Sequence, residues 1–249
     1  MSGHSHAKTI KHQKNLTDQK RGQMFSKMAR MISVAVKQGG ADPITNAKLQ
    51  TAIERARELN MPKDNIERAI EQAVGGKEGA NLEEVIFEAY GPGGIAVIIE
   101  GITDNKNRTL GEIKQVLGQG GGKLVGEGGV KWMFDKKGCI SINIKSQEPN
   151  LQNKDDLEMM AIESGAEDIY GQKDILDIYT KIENLDKVKK SLEEKGIKTE
   201  SASLDWVPKE EVSVGEKQKE GCQKLFDSLD ELDSVQGVYS NLKLSADNF

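Results

Sequence analysis

The hydrophobic period of this chain changes near residue 82, from the helical value of about 3.6 residues to the strand value of about 2. That change limits the chain to a helical segment followed by sheet-containing segments. Before it, Phe25, Met28, Ala29, Ile32, Ala35 and Val36 recur at i, i+3, i+4, i+7, i+10 and i+11, a single helical stripe. Gly39-Gly40 is its punctuation. Leu49, Ala52, Ile53 and Ala56 mark a second stripe, started near Asn46 and broken around Asn60. Pro62 suits the first turn of a third helix, where a missing N–H costs nothing. Ile66, Ala69, Ile70, Ala73 and Val74 give its apolar face, closed by Gly75-Gly76. Each helix has one apolar face, so the three must pack on each other, with Lys27, Arg30 and Lys37 left on the outer side of the first.

After residue 82, EEVIFEAY and IAVIIEGIT are β-rich runs joined by GPGG, which reads as a hairpin. The loop TDNKNRT follows, and Thr109 with Glu112 forms a T-x-x-E capping box for a helix through Ile113, Val116 and Leu117. KLV and VKWMF are strand-like. Residues 138–207 then contain a complete β-α-β-β-α-β pattern. Its strands carry Ile140, Ile142 and Ile144, a short stretch near Glu167–Tyr170, then Leu176, Ile178 and Ile182, and finally Ala202, Leu204 and Trp206. Its helices carry Leu157, Met160 and Ala161, then Leu185, Val188 and Leu192. The remaining helix (Cys222, Leu225, Phe226, Leu229) and a strand ending in Leu242 and Leu244 cannot bury themselves alone. Added to residues 80–134 they complete a second α/β sandwich. The expected fold is α+β: a basic arm (1–22), a three-helix domain (23–79), a discontinuous ferredoxin-like α/β domain (80–134 with 209–249), and a second ferredoxin-like domain (135–208) inserted into it.

Charge separates along the same lines. Residues 1–30 hold seven basic side chains against Asp18, a net of +6 in a chain of −5, which leaves −11 for the other 219 residues. Such an asymmetry points to a basic arm for a polyanion on a body that repels polyanions. Lys8, Lys11 and Lys14, spaced by three, would share one surface of a helix. Lysine is a mobile point charge that suits phosphates and carries no base information.

Other chemistries fit poorly. The chain's three histidines, His4, His6 and His12, lie in the arm without a cysteine or third ligand to close a metal site. Neither Cys139 nor Cys222 has a histidine within its own domain to form a nucleophilic pair, and two distant cysteines imply no disulfide framework. GQGGGKL has leucines where a phosphate-binding P-loop needs Gly and Ser or Thr. GPGGIA satisfies G-x-G-x-x-A, but a strand follows where a dinucleotide site needs a helix. Both are turns. No apolar run is long enough for a membrane span and the first residues lack a secretory core, so the expected location is cytoplasmic.

Two smaller features admit two readings each. Asn105, Lys106, Asn107 and Arg108 precede a helix N-terminus, whose free N–H groups attract anions; alternatively the polar residues cap the helix and the charges face water. Trp132 and Phe134 fall on one face of a strand, where aromatics can stack bases, but no RNP pattern accompanies them and core packing is the better reading. The acidic run DSLDELD needs nothing beyond solvation.

GHS (3–5), IKHQK (10–14), KRGQMFSKMAR (20–30), NMPKDNIERAI (60–70), YGPGGIAVIIE (90–100) and TDNKNRT (103–109) resemble the YebC/PmpR family, which includes the mitochondrial translational activator of cytochrome c oxidase subunit I. The resemblance implies a helical domain plus two α/β domains around a cleft. It also implies a DNA-binding transcriptional regulator, or a ribosome-associated factor that helps translation through difficult stretches. Where the family reads GHSKW, this chain has His6 and Ala7, so a stacking tryptophan of the arm is missing.

The residues expected to contact nucleic acid are His4, Ser5, Lys8, Lys11, His12, Lys14, Lys20, Arg21, Lys27 and Arg30, with a second anion site at Asn105–Arg108. No cofactor, metal or catalytic residue is expected. The partner is ribosomal RNA, with the ribosome itself as a further partner, or DNA. RNA is favoured because residues 23–75 show no recognition helix with base-reading side chains, and a flexible cationic arm on an acidic body binds duplex DNA weakly. An enzyme using the interdomain cleft is the third and weakest reading, and the sequence leaves the oligomeric state open.

Overall fold

The computed structural model describes residues 18–75, 81–172 and 174–243. In chain order the elements are α1 (Asp18–Gly39), α2 (Ala47–Glu58), α3 (Lys63–Gly75), β1 (Glu83–Tyr90), β2 (Ala96–Thr103), α4 (Lys106–Gln119), β3 (Lys123–Val125) and β4 (Phe134–Asn143). Then come α5 (Lys154–Ser164), β5 (Asp168–Gln172), β6 (Ile175–Thr180), α6 (Leu185–Glu194), β7 (Ser201–Pro208), α7 (Glu216–Asp230) and β8 (Val235–Ser240). Helices come first and two antiparallel sheets follow, an α+β architecture. The chain forms two compact units: one reaches Lys131 and takes in Val214–Ser240, and the other holds Trp132–Ser213 and the chain from Asn241 onward.

In the first unit the helical stripes bury as their spacing predicts. Met28, Ile32, Leu49, Ala56, Ile66 and Ala69 belong to one core among α1, α2 and α3. Asn46 joins two helix ends. Its side chain accepts from Leu49 N at 3.1 Å as the α2 cap, and its Nδ2 donates to Ala35 O and Gly40 O, both at 2.7 Å. The one amide thereby ties the C-terminal end of α1 to the start of α2. Asn60, at φ +57°, makes the left-handed break before Pro62. One stripe residue fails: Val74, placed by its period on the α3 core face, is 64% exposed, one residue before the helix ends at Gly75.

The first sheet has the order β3-β1-β2-β8. The β1–β2 hairpin lies at its centre, turning through Gly93 and Gly94 with φ of +74° and +77°. β8 returns to this sheet, pairing Val97 with Ser240 and Ile99 with Val238, and ends before Leu242, which bridges Val212 instead; Leu244, expected in this strand, lies outside the described residues. A bulge sits at Glu100/Gly101, where a Cβ on Gly101 would come within 2.7 Å of Ser234 O.

The second unit carries the sheet β5-β6-β4-β7, the strand order of a split βαβ fold. Ile140, Ile142, Leu176 and Ile178 face α5 and α6 through Leu157, Val188 and Leu192. Three local readings change. VKWMF is not one strand: Lys131–Met133 form a single 3-10 turn and β4 starts at Phe134. Ile144 lies just past β4 and is buried there. Leu204 and Ile182, both read as inward-facing, are 39% and 46% exposed, Ile182 lying in a 3-10 turn past the end of β6.

Candidate nucleic-acid interface

The arm residues His4, Ser5, Lys8, Lys11, His12 and Lys14 lie outside the described residues. The described part begins with α1, where Lys20 and Arg21 are exposed.

Two turns further along, the same helix behaves differently. Lys27 is 9% exposed, and its Nζ donates to Asp230 O at 2.5 Å and to Asp230 Oδ1 at 3.1 Å. Asp230 ends α7, so a cation sits on the negative end of that helix dipole and on a carbonyl the helix leaves open. Arg30 Nη1 donates to Asp233 O at 2.8 Å, with Nη2 4.0 Å from Asp233 Oδ2. Lys27 and Arg30 are therefore not on a free outer surface, as their sequence positions suggested. The acidic run that seemed to need only solvent is their partner. A weaker, exposed tie lies nearby: Gln38 Nε2 donates to Glu84 Oε2 at 3.1 Å, and Lys48 Nζ approaches the same oxygen at 3.9 Å.

The second candidate, at Asn105–Arg108, is built differently from the T-x-x-E expectation. Asn105 is the cap of α4 and accepts from Arg108 N at 3.0 Å. Thr109, assigned a capping role by its spacing, is buried within the helix, and its hydroxyl donates to Thr103 Oγ1 at 2.9 Å. Lys106, Asn107 and Arg108 thus form the first turn of α4 rather than the loop before it. Arg108 pairs with Asp104 at 2.5 Å in an exposed i,i+4 contact. The cap and ion pair are those of an ordinary solvated helix start.

The region before β4 holds the clearest departure from the sequence reading. Glu88 on β1 is 3% exposed and accepts from Gly128 N, Val130 N and Lys131 N, each at 2.7 Å. Burial pushes its carboxyl up, but the three N–H donors and the Lys131 charge outweigh that and hold it below the usual carboxylate range. This carboxylate fixes the glycine loop before β4. Two residues apart, Trp132 and Phe134 then diverge: Phe134 is 3% exposed and Trp132 is 65% exposed. Because the 3-10 turn ends between them, strand alternation never applies and they do not share a face. The sequence carried a signal for this in the glycine-rich GEGGV just before the tryptophan, a run that favours a turn over a strand.

Both cysteines are buried, and burial pushes the Cys222 thiol up to about 11. Among the described residues no cluster of His, Cys, Asp and Glu could hold a metal ion, and no described helix is long and apolar enough to cross a membrane.

Comparison with known proteins gives a consistent result. Residues 5–76 match the TACO1/YebC protein N-terminal domain, and residues 82–242 match the TACO1/YebC second and third domain. A probable transcriptional regulatory protein of Trichlorobacter lovleyi is 44% identical over 99% of this chain and 98% of its own length. One of Pseudothermotoga lettingae, of the same description, is 46% identical over 98% of this chain and 94% of its own. The crystal structure of a conserved hypothetical protein from Aquifex aeolicus superposes with a TM-score of 0.86 at 42% identity, covering 94% of this chain and 95% of that one.

Proposed function

The chain belongs to the TACO1/YebC family, and on that premise we propose that it is a non-enzymatic, nucleic-acid-binding regulator of gene expression that grips phosphates through its arm and acts on ribosomal RNA. The observation that carries the reading is the position of positive charge. Residues 1–75 hold thirteen basic side chains against seven acidic ones, leaving −11 for the rest of the chain. Within α1, Lys27 and Arg30 are engaged by Asp230 and Asp233. Phosphate contact therefore falls to Lys8, Lys11 and Lys14, with Lys20 and Arg21 continuing the surface at the start of α1. His4, Ser5 and His12 add hydrogen-bonding groups along the same arm. In this reading the arm (1–22) and the helical domain (23–79) present the charge, while the discontinuous domain (80–134, 209–249) and its insert (135–208) position it.

RNA is preferred over duplex DNA for a reason visible on α3. Its outward side chains are Lys63, Asp64, Glu67, Arg68 and Glu71, with Lys63 and Glu67 paired at 3.3 Å. Such a face places carboxylates against phosphates if inserted in a major groove. The second reading, a DNA-binding transcriptional regulator, draws on the printed description of the relatives.

Sedimentation of lysate through sucrose tests the choice. The intact chain is run beside a form lacking residues 2–17, with and without ribonuclease. The RNA reading expects the intact chain to travel with ribosomal particles, in a salt- and ribonuclease-sensitive way, and the truncated form to stay at the top. If both forms stay at the top while the intact chain shifts duplex DNA, the transcriptional reading replaces it.

A further inference from the structure

We propose that the outward face of α5 docks a basic amphipathic helix of a protein partner. The proposal goes beyond the RNA reading above and does not depend on it. The inner face of α5 serves the fold: Leu157 and Ala161 are fully buried in one core with Ile140, Ile178 and Val188. Met159 and Ile162, on the other side of the helix, are 62% and 63% exposed. They lie one turn apart and form an apolar ridge directed away from that core. Among the described residues, no other two large exposed hydrophobic side chains share a helix. The inner stripe already holds α5 in place, so the ridge adds nothing to the packing of the domain. Methionine is also the apolar side chain that adapts most readily to a partner's surface.

The charges around the ridge identify the occupant. α5 carries Asp155, Asp156, Glu158 and Glu163 against Lys154 alone. Glu158 pairs with Lys154 at 3.5 Å and Glu163 with Lys195 at 3.0 Å, whereas Asp155 and Asp156 form no ion pair among the described residues. Acids in a first turn suit the helix dipole, but the dipole does not account for the apolar ridge beside them. A ridge rimmed by carboxylates is complementary to a helix with apolar anchors at i, i+3 or i+4 flanked by lysines and arginines. Phosphates are repelled, so the face is not a second RNA site. A two-fold contact between copies would set the same carboxylates against each other. The ridge is also fixed in advance. The Asn153 side chain accepts from Asp155 N at 3.0 Å, Ser164 Oγ donates to Met160 O at 2.7 Å, and Ser191 Oγ on α6 lies 3.1 Å from Ser164 Oγ. A held surface loses little conformational freedom when a partner docks on it.

The probe is a peptide of about fourteen residues, leucine and lysine only, arranged in helical period. Two controls accompany it: the same residues reordered without a period, and the periodic peptide with glutamate for every lysine. Anisotropy of each labelled peptide is followed against full-length protein, and single-stranded RNA is titrated separately. The basic amphipathic peptide should bind, with both controls at least about tenfold weaker. Combined Met159→Gln and Ile162→Gln should weaken peptide binding about thirtyfold, with RNA binding and melting temperature unchanged. Combined Met159→Leu and Ile162→Leu should keep it. Combined Asp155→Asn and Asp156→Asn should weaken it about three- to tenfold and flatten its salt dependence. If the wild type ignores the basic peptide, or binds the reordered one equally, the docking face is wrong and the RNA reading is untouched. If the Met159→Gln, Ile162→Gln variant binds the peptide as the wild type does, the peptide sits elsewhere and the proposal falls. If that variant, with its fold intact, instead loses RNA binding or breaks up a dimer seen by sedimentation, the occupant is RNA or a second copy and the proposal is again overturned.

Discussion

The two halves of α1 carry the same kinds of residue and meet different fates. Lys20 and Arg21 are exposed near its start, whereas Lys27 and Arg30, less than three turns on, reach the end of α7 and the Asp233 carbonyl. Lys27 is held by two acceptors in a mostly buried setting, where replacing it would strand Asp230. The contrast separates two uses of a cation that composition cannot distinguish. One joins the helical layer to the corner between α7 and β8. The other lies on the exposed start of the helix.

The sharpest way to test that contrast is to remove charge from each side. On the proposed reading, replacing Lys8, Lys11 and Lys14 by Ala together lowers RNA affinity by roughly two orders of magnitude near 0.1 M salt and flattens the salt dependence by about two to three units of slope. The melting temperature should not move. Binding titrations across a salt series decide it, and an unchanged slope removes the arm from the interface.

Lys27→Met should do the reverse. We expect a loss of about 2–3 kcal/mol in denaturant unfolding, from an unpaired carboxylate and an open helix end, with the salt slope of RNA binding unchanged. A variant with normal stability and a reduced slope would place Lys27 in the interface instead.

Glu88→Gln probes the loop that fixes the turn before Trp132. It should cost about 2 kcal/mol, because three N–H donors lose their charged acceptor. The sign of its pH dependence follows from the lowered carboxyl. The stabilisation is complete above the ordinary carboxylate range and disappears as pH falls through the lower folded value, so the difference between wild type and variant should shrink in acid. Urea unfolding at neutral and acid pH measures it.

The smallest effect is expected at the start of α4. Breaking the exposed Arg108–Asp104 pair with Arg108→Ala should change stability by about 0.5 kcal/mol or less. A loss of RNA affinity in this variant would revive the second anion site that the ordinary cap argues against.

Much of the fold was legible because it follows from local periodicity. The three helical stripes, the GPGG hairpin and the β-α-β-β-α-β order of the second sheet can each be read within a short window. That a late helix and strand must join an earlier sheet followed from their inability to bury themselves, but the strand was placed too late: β8 is Val235–Ser240, before Leu242. Capping was less so. Thr109 and Glu112 match a capping pattern, but Asn105 lies one turn earlier and its side chain takes the cap. Lys27 and Trp132 were misplaced for another reason: Lys27 looked solvent-facing and Trp132 looked like core. A stripe says which side of an element is apolar, and nothing about what lies opposite its polar side.

By itself, the sequence determined the class of each segment, the order of elements and the separation of a basic N-terminal region from an acidic body. All of these depend on neighbours within a few turns or on summed charge. Tertiary structure alone decided which cations are held and which aromatic is exposed. Lys27 meets an aspartate 203 residues away, and Glu88 fixes the loop before Trp132 from some forty residues upstream. Contacts of that span depend on how whole layers pack, and the local pattern of charges and rings does not encode it.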